Sequence, residues 1–244
     1  MTSHAAGSSP LAVVAGASGA IGSATVQALT SAGWSVIGTY RHARPEPCAG
    51  VFWVPFDGIH AGGTAELHTA VAASPGPLQA VVCCLGTPSS KRPIADTDPD
   101  EFDAVFAGNV TSVVRLWQAV HERARKAAAG VVILGSDTTA TLRADNGAYS
   151  AAKAGLEALS TTLAAEEAEH GVRVNLVAPS LVASPLAENV LALKDVSDVD
   201  AYYRALPWGR ALSPSEVASV AVEIATASHW RYASGQVVRL AVHG

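Results

Sequence analysis

Leu11-Ala12-Val13-Val14-Ala15-Gly16-Ala17-Ser18-Gly19-Ala20-Ile21-Gly22 is the stretch that decides the fold of this chain. A short apolar run, suited to a strand buried on both faces, passes directly into glycines at 16, 19 and 22. Helical spacing follows, with Ile21, Ala24, Ala28 and Leu29 on one stripe and Gly33 as the stop. Strand, glycine turn and helix in that order open a βαβ unit. Glycine at such a turn lets backbone N–H groups approach a pyrophosphate at the positive end of the helix. A tight connector with no ligand uses glycine for the same reason, so the turn by itself sets the fold and not the ligand.

Outward from that unit, β-branched runs recur at 35–39, 51–54, 79–84, 131–135, 172–177 and 236–240, with helical patterns between them. This alternation predicts an α/β domain over 11–244, with a parallel sheet of about seven strands and helices on both faces. Residues 1–10 read as a loose tail, with neither the basic start nor the apolar stretch of a signal peptide. Asp98-Pro99-Asp100-Glu101 and Ser213-Pro214-Ser215-Glu216 each predict a helix start closed by a capping box. A further helix opens near Tyr149, buries Leu156, Leu159 and Leu163, and stops at Gly171. Between Pro179 and Pro207 there is no clear strand and only weak apolar periodicity. A segment of that size after a strand's C-terminal end reads as a substrate lid, about 180–207.

Composition excludes several classes of function. A net charge of -5 argues against a nucleic-acid partner, which demands clustered Lys and Arg. No apolar run approaches the roughly 20 residues that span a bilayer, so no membrane partner is expected and the cytoplasm follows by default. Cys48, Cys83 and Cys84 have no metal-ligand spacing, and the adjacent pair inside an apolar run reads as buried and reduced. The histidines form no HxH or HExxH pattern, so no metal is expected.

Dinucleotide sites distinguish NAD from NADP near the end of the second strand, where a carboxylate holds a ribose hydroxyl and an arginine accepts a 2′-phosphate. Here that position carries Thr39-Tyr40-Arg41-His42, with Arg44 close by and no carboxylate before Glu46. NADP(H) is therefore the expected cofactor, ahead of NAD. Asp57, in Phe56-Asp57-Gly58 after the third strand, is either an acceptor for the adenine amino group or a turn residue.

A second cluster is Asn109, Ser136, Tyr149 and Lys153. Tyr149 and Lys153 are four apart at a helix start, hence on one face. A free tyrosine is too weak an acid to serve as a general base at neutral pH, and a nearby ammonium stabilises the phenolate. Ser136 ends a strand, where its hydroxyl is placed to hold a substrate oxygen. Asn109 sits inside a long helix, where such a residue is mildly unfavourable, and predicts a local kink with an ordered water linking it to Lys153.

Taken in this order, the motifs resemble the short-chain dehydrogenase/reductase family over essentially the whole length from Leu11. Gly16, Gly19 and Gly22 resemble the family's cofactor glycines, with Ala15 and Ala20 departing from its TGxxxGxG pattern. Ser136 lies thirteen residues before Tyr149, as in the family, and Gly108-Asn109-Val110 matches its helix asparagine. The resemblance implies a Rossmann-type doubly wound domain with strand order 3-2-1-4-5-6-7. It implies Tyr149 as acid/base, Lys153 on the nicotinamide ribose, Ser136 orienting the carbonyl and Asn109 maintaining a proton relay. Ser18, Gly19, Ala20, Ile21, Gly58, Gly86 and Pro179 join Gly16, Arg41 and Asp57 as implied cofactor contacts. Two departures stand out: Cys83-Cys84-Leu85-Gly86 where the family has NNAG, and Pro179-Ser180 where it has PG. The first puts strand packing and cofactor affinity in question; the second removes freedom at the lid hinge.

The implied reaction is hydride transfer between NADP(H) and a carbonyl or alcohol. Leu181 and Leu186 from the lid, with Thr138, Leu142 and Asn146 opposite, suggest a medium-sized, mostly apolar or aromatic substrate. Two alternatives remain: a catalytically silent NADP-binding sensor on the same scaffold, expected to lose Tyr149 or Lys153, and a lyase or dehalogenase, expected to lose the glycine turn. Related proteins pair helices as homotetramers or homodimers; here the helices holding Val113 to Val120 and Leu156 to Leu163 are the candidates, although core packing explains their apolar faces equally well.

Overall fold

The computed structural model describes residues 9–60, 62–193 and 196–241; the expected tail lies largely outside the described residues. Pro10 is already anchored, its carbonyl accepting from Ser35 N at 3.0 Å. Seven parallel strands form one sheet: β1 (Leu11–Ala15), β2 (Ser35–Tyr40), β3 (Val51–Pro55), β4 (Leu78–Cys83), β5 (Gly130–Leu134), β6 (Arg173–Pro179) and β7 (Val237–Leu240). Their order is β3-β2-β1-β4-β5-β6-β7, a Rossmann-type doubly wound arrangement that reverses direction between β1 and β4.

Period-two alternation splits each strand between two cores. Leu11, Val13 and Ala15 face one side with α2 (Ala65–Ala73), α4 (Ser112–Lys126) and α6 (Gly147–Glu166). Ala12 and Val14 face the other with α1 (Ala20–Ser31) and α9 (Pro214–Thr226). Helix α1 fully buries Gly22, Thr25, Val26 and Leu29, while Ile21, Ala24 and Ala28 are half-buried. The expected stripe is thus rotated toward the sheet.

Both predicted capping boxes begin helices, but only one closes. Ser213 accepts from Glu216 N while the Glu216 carboxylate accepts from Ser213 N. At α3 (Pro99–Phe106), Asp98 caps Asp100 N, but Glu101 instead accepts from Ser90 N at 2.7 Å, tying the helix to the loop after β4. The 180–207 segment is more ordered than its periodicity suggested. It holds α7 (Pro185–Ala192), capped by Ser184, and α8 (Val199–Arg204), capped by Asp198. Helix α5 (Thr138–Thr141) is a single turn after β5. Among the described residues no helix is long and apolar enough to cross a membrane, and no side-chain cluster suits a metal ion.

Candidate active site

The site lies at the C-terminal ends of β1, β4 and β5, where the sheet changes direction. Gly16 has φ +73, and a Cβ there would sit 2.9 Å from the Cys84 carbonyl oxygen. Gly16 N donates to Thr39 Oγ1 at 3.0 Å and Ala17 N to Thr39 O at 2.9 Å, so the turn is fastened to β2. A Cβ on Gly22 would fall 2.1 Å from the Gly16 carbonyl oxygen, which is why only glycine lets α1 press onto the turn. Gly19 is the N-cap of α1; no side chain caps it and no carboxylate occupies the first turn. Ser18 and Gly19 are exposed, Ala20 and Ile21 half-buried. An uncapped helix start reached only by backbone fits a dinucleotide pyrophosphate.

Arg41, the first residue after β2, is exposed, and its Nε donates to His42 Nε2 at 3.0 Å. It lines a pocket of about 130 Å³ with Phe56, Asp57, Gly63 and Glu66. Asp57 is spent locally: Oδ1 accepts from Ile59 N at 2.8 Å and Oδ2 lies 2.6 Å from His60 Nδ1. The His60 contact holds the Asp57 carboxyl below its usual range. The side chain therefore behaves as a turn residue. Gly58 is buried against α4, where a Cβ would meet Ser112 Cβ at 2.6 Å.

At the other end, Tyr149 occupies the first turn of α6 and Lys153 the next. Lys153 is 3% exposed, and its Nζ donates to the Leu134 carbonyl at 3.0 Å and lies 5.6 Å from the Tyr149 ring centroid. Gly86, just past β4, faces the same point: a Cβ there would be 3.3 Å from Asn109 Oδ1 and 3.6 Å from Lys153 Nζ. Asn109 sits in a π-helical turn, Ala107–Thr111, between α3 and α4. The asparagine thus coincides with a local break in the α-helical hydrogen-bond ladder. Its Nδ2 donates to Thr87 O and Val105 O, while Oδ1 is buried with no hydrogen-bond partner and looks toward Gly86. Ser136, two residues past β5, accepts from Thr138 N at 3.3 Å. The Pro179 carbonyl accepts from Asp137 N, which fastens this loop to β6.

The two departures are accommodated. Cys83 pairs in register with Ala15 and Ile133, so β4 keeps its pairing at that end; its one shift of register lies at the opposite end, between Leu78 and Ala80. Burial pushes the Cys83 thiol up to about 11 and the Cys84 thiol up to about 12. Ser180 N donates to Leu240 O, which extends the pairing to β7.

Of the expected pocket residues, Leu142 and Leu186 are exposed and Leu181 half-buried. Thr138 and Asn146 are occupied with each other, Asn146 Nδ2 donating to Thr138 Oγ1 at 2.8 Å. Lys91, absent from the sequence expectations, lies with Nζ 5.2 Å from the Tyr149 ring centroid. A lysine in a Pro/Ser-rich loop has no pattern that would reveal it.

A family model described as enoyl-(acyl carrier protein) reductase matches residues 15–240. The cis-4-hydroxycyclohexanecarboxylate dehydrogenase of Sinomonas cyclohexanicum is 31% identical over 226 residues, covering 88% of this chain and 89% of that protein. A Mycobacterium tuberculosis protein named (5R,7aS)-5-hydroxy-7a-methyl-1-oxo-2,3,5,6,7,7a-hexahydro-1H-indene-carboxyl-CoA reductase is 31% identical over 238 residues, covering 93% of this chain and 89% of its own. The crystal structure of an actinorhodin polyketide ketoreductase variant with NADPH superposes with a TM-score of 0.83 at 23% identity, covering 96% of each chain, and shares the fold. With the glycine turn, the buried lysine and the tyrosine already in place, these matches identify the chain as a member of the short-chain dehydrogenase/reductase family of oxidoreductases, which work with nicotinamide cofactors.

Proposed function

We propose that this protein is an NADP(H)-dependent oxidoreductase that interconverts a ketone and a secondary alcohol of medium size and mostly apolar or aromatic character. The observation that carries the reading is Tyr149 beside the buried Lys153 ammonium, at the glycine-lined end of β4. The nicotinamide, when bound, supplies or accepts hydride. Tyr149 passes a proton to the substrate oxygen on reduction and takes it back on oxidation. Lys153, fixed by the Leu134 carbonyl, keeps a positive charge beside that ring and faces the ribose. Ser136 holds the substrate oxygen. Asn109, whose buried Oδ1 has no protein partner and lies near Gly86, anchors the relay that reprotonates the site.

Gly16, Ser18, Gly19, Ala20 and Ile21 hold the pyrophosphate, and Arg41 receives the 2′-phosphate. Gly58 and Asp57 border the adenine through their backbone, since the Asp57 carboxylate is committed to His60. Gly86 and Pro179 flank the nicotinamide. The 180–207 segment serves as the lid, with Leu181 and Leu186 over the substrate; Leu142 forms part of the opposite wall, and Thr138 and Asn146 brace it. Two relatives named for a hydroxylated ring and a fused-ring ketone support a cyclic substrate. The reading extends to a cytoplasmic homotetramer or homodimer joined through the outer faces of α4 and α6, which light scattering measures.

Loss of 340 nm absorbance, with NADPH and NADH compared across cyclic and aromatic ketones, tests the activity. The expected result is turnover that favours NADPH. Tight NADPH binding without turnover of any ketone or alcohol would replace the reading with that of a silent binding protein.

A further inference from the structure

The turn that carries Ser136 has no apolar anchor. Ser136 lies two residues past β5, and the single turn of α5 follows it directly. Helix α5 buries no side chain. A helix of one turn does not hold itself in water, because nucleation costs more than its few hydrogen bonds return. Its position must come from outside.

Three side chains from three elements supply it. Thr139 on α5, Glu157 on α6 and Arg239 on β7 each touch the other two. Thr139 Oγ1 donates toward Glu157 Oε1 at 2.5 Å and the Ser136 carbonyl at 3.1 Å, its one proton shared between them. Arg239 Nη1 donates to Thr139 Oγ1 at 2.8 Å, and Nη2 to Glu157 Oε2 at 3.2 Å. Glu157 is 21% exposed and Arg239 29%, so the pair is sheltered and differs from a loose surface contact. A joint between β7 and α6 needs only that pair. Thr139 adds something else: it carries the joint on to Ser136.

The chain of contacts ends on the serine itself. Its carbonyl receives the Thr139 hydroxyl, and its Oγ accepts from Thr138 N at 3.3 Å. A hydroxyl that accepts from an amide turns its own proton away from that amide, so the placing of residues 138 and 139 sets where the Ser136 hydroxyl points. Glu157 also shares a helix with the proton donor. Tyr149, Lys153 and Glu157 follow at intervals of four along α6, down one stripe. The helix that carries the phenol thus also fixes the serine turn, and both oxygens are referred to one rigid body.

We propose that Thr139, Glu157 and Arg239 are positioning residues for Ser136, a clamp that sets the serine hydroxyl at its working distance from Tyr149. All three act through the turn. The proposal rests on Ser136 and Tyr149 sharing the substrate oxygen, as argued above, and adds what keeps them in place.

The test sets Thr139→Val, which removes only the hydroxyl, and Glu157→Gln, which removes only the charge, in the native background and beside Ser136→Ala. Turnover is measured with NADPH and the best of the cyclic and aromatic ketones. A misplacement of about 1 Å costs about 10²-fold in rate, so each change is expected to lower kcat roughly 10- to 100-fold with KM for NADPH unmoved. Beside Ser136→Ala the same changes are expected to cost no more than about twofold, because the group they position is already gone. Thr139→Ser restores the hydroxyl and should recover most of the lost kcat. A loss equally large with and without the serine hydroxyl makes the cluster a general stabiliser and overturns the proposal, as does no loss in either background. Should Glu157→Gln fail to fold, Thr139→Val, at a half-buried position of the turn, carries the test alone. If the native protein turns over no ketone or alcohol, the oxidoreductase reading is what fails, and amide hydrogen exchange read by mass spectrometry, which needs no substrate, decides the clamp. Faster exchange over 136–142 in Thr139→Val, with α6 unchanged, upholds it; native exchange there overturns it.

Discussion

Tyr149 and Lys153 form a unit because α6 puts residues four apart on one face and the Leu134 carbonyl holds the ammonium still. Deleting one oxygen tests that unit. Tyr149→Phe is expected to lower kcat by roughly 10²- to 10⁴-fold, the usual range for lost acid/base assistance, while NADPH binding by fluorescence persists. Near-native turnover would remove Tyr149 from the mechanism. Arg41 is tested by cofactor choice. A charge-assisted hydrogen bond to the 2′-phosphate contributes about 1.5–3 kcal/mol, so Arg41→Asp should move the NADPH/NADH ratio of kcat/KM about 10- to 150-fold toward NADH. An unmoved ratio would assign discrimination elsewhere in the pocket that Arg41 shares with Glu66. At this scale the sequence was readable where geometry demands a residue type or a spacing: Gly16 and Gly22, where a Cβ would collide with backbone, and Tyr149 and Lys153, which α6 sets on one face. It was unreadable at Lys91 and Asn146, whose contact depends on two loops meeting across 55 residues of chain.

Strands declared themselves through apolar runs, and each observed boundary lies within two residues of its expected place. Helices α7 and α8 were passed over because so few of their residues are buried, only Ala187 and Leu191 in α7 and none in α8. Ser184-Pro185 and Asp198 were the signals present: both cap, as the side-chain bonds to Ala187 N and Ala201 N record. The Asp98 box failed for a tertiary reason, since Glu101 found a better donor in Ser90 N than its own cap. Strand alternation also makes a prediction for β4 and its end. Cys83 packs into one core and Cys84 against the other, so the adjacent thiols face opposite sides of the sheet. Burial pushes the pair up to about 11 and about 12, leaving almost no thiolate at neutral pH. Cys48 is exposed. Iodoacetamide at pH 7.5 should therefore label Cys48 alone in the native protein and all three cysteines after denaturation, as mass spectrometry would read. Labelling of Cys84 in the native state would mean that the β4 end opens.

The whole molecule depends on contacts that no local pattern announces. Arg239 on β7 reaches Thr139 and Glu157, fastening the last strand to α5 and α6. Arg125 on α4 grips Glu167, just past α6, with Nε to Oε2 at 2.8 Å and Nη2 to Oε1 at 2.7 Å, and Trp117 Nε1 adds a third donor. Glu167 is 1% exposed, whereas Arg125 is 37% exposed, so the pair is sheltered on one side only. The Arg125 hydrogen bonds hold the Glu167 carboxyl below its usual range, against the opposing effect of burial. A carboxyl depressed on folding contributes stability above its unfolded value of about 4.5, and that contribution fades as pH falls through the folded value. Glu167→Gln keeps the volume and loses the charge. At pH 7 it should cost about 1–3 kcal/mol, between the ranges for exposed and buried pairs because Arg125 stays partly solvated. For a chain of this length that is a drop of about 2–4 °C in Tm per kcal/mol. The gap between native and Glu167→Gln should then close as the pH is taken below about 4.5, because the native carboxyl takes up the proton that the amide already mimics. Thermal melts of both proteins from pH 7 to pH 3.5 decide the point: a gap that stays constant with pH would show that the loss is one of packing, and that the charge of Glu167 does not join α4 to α6.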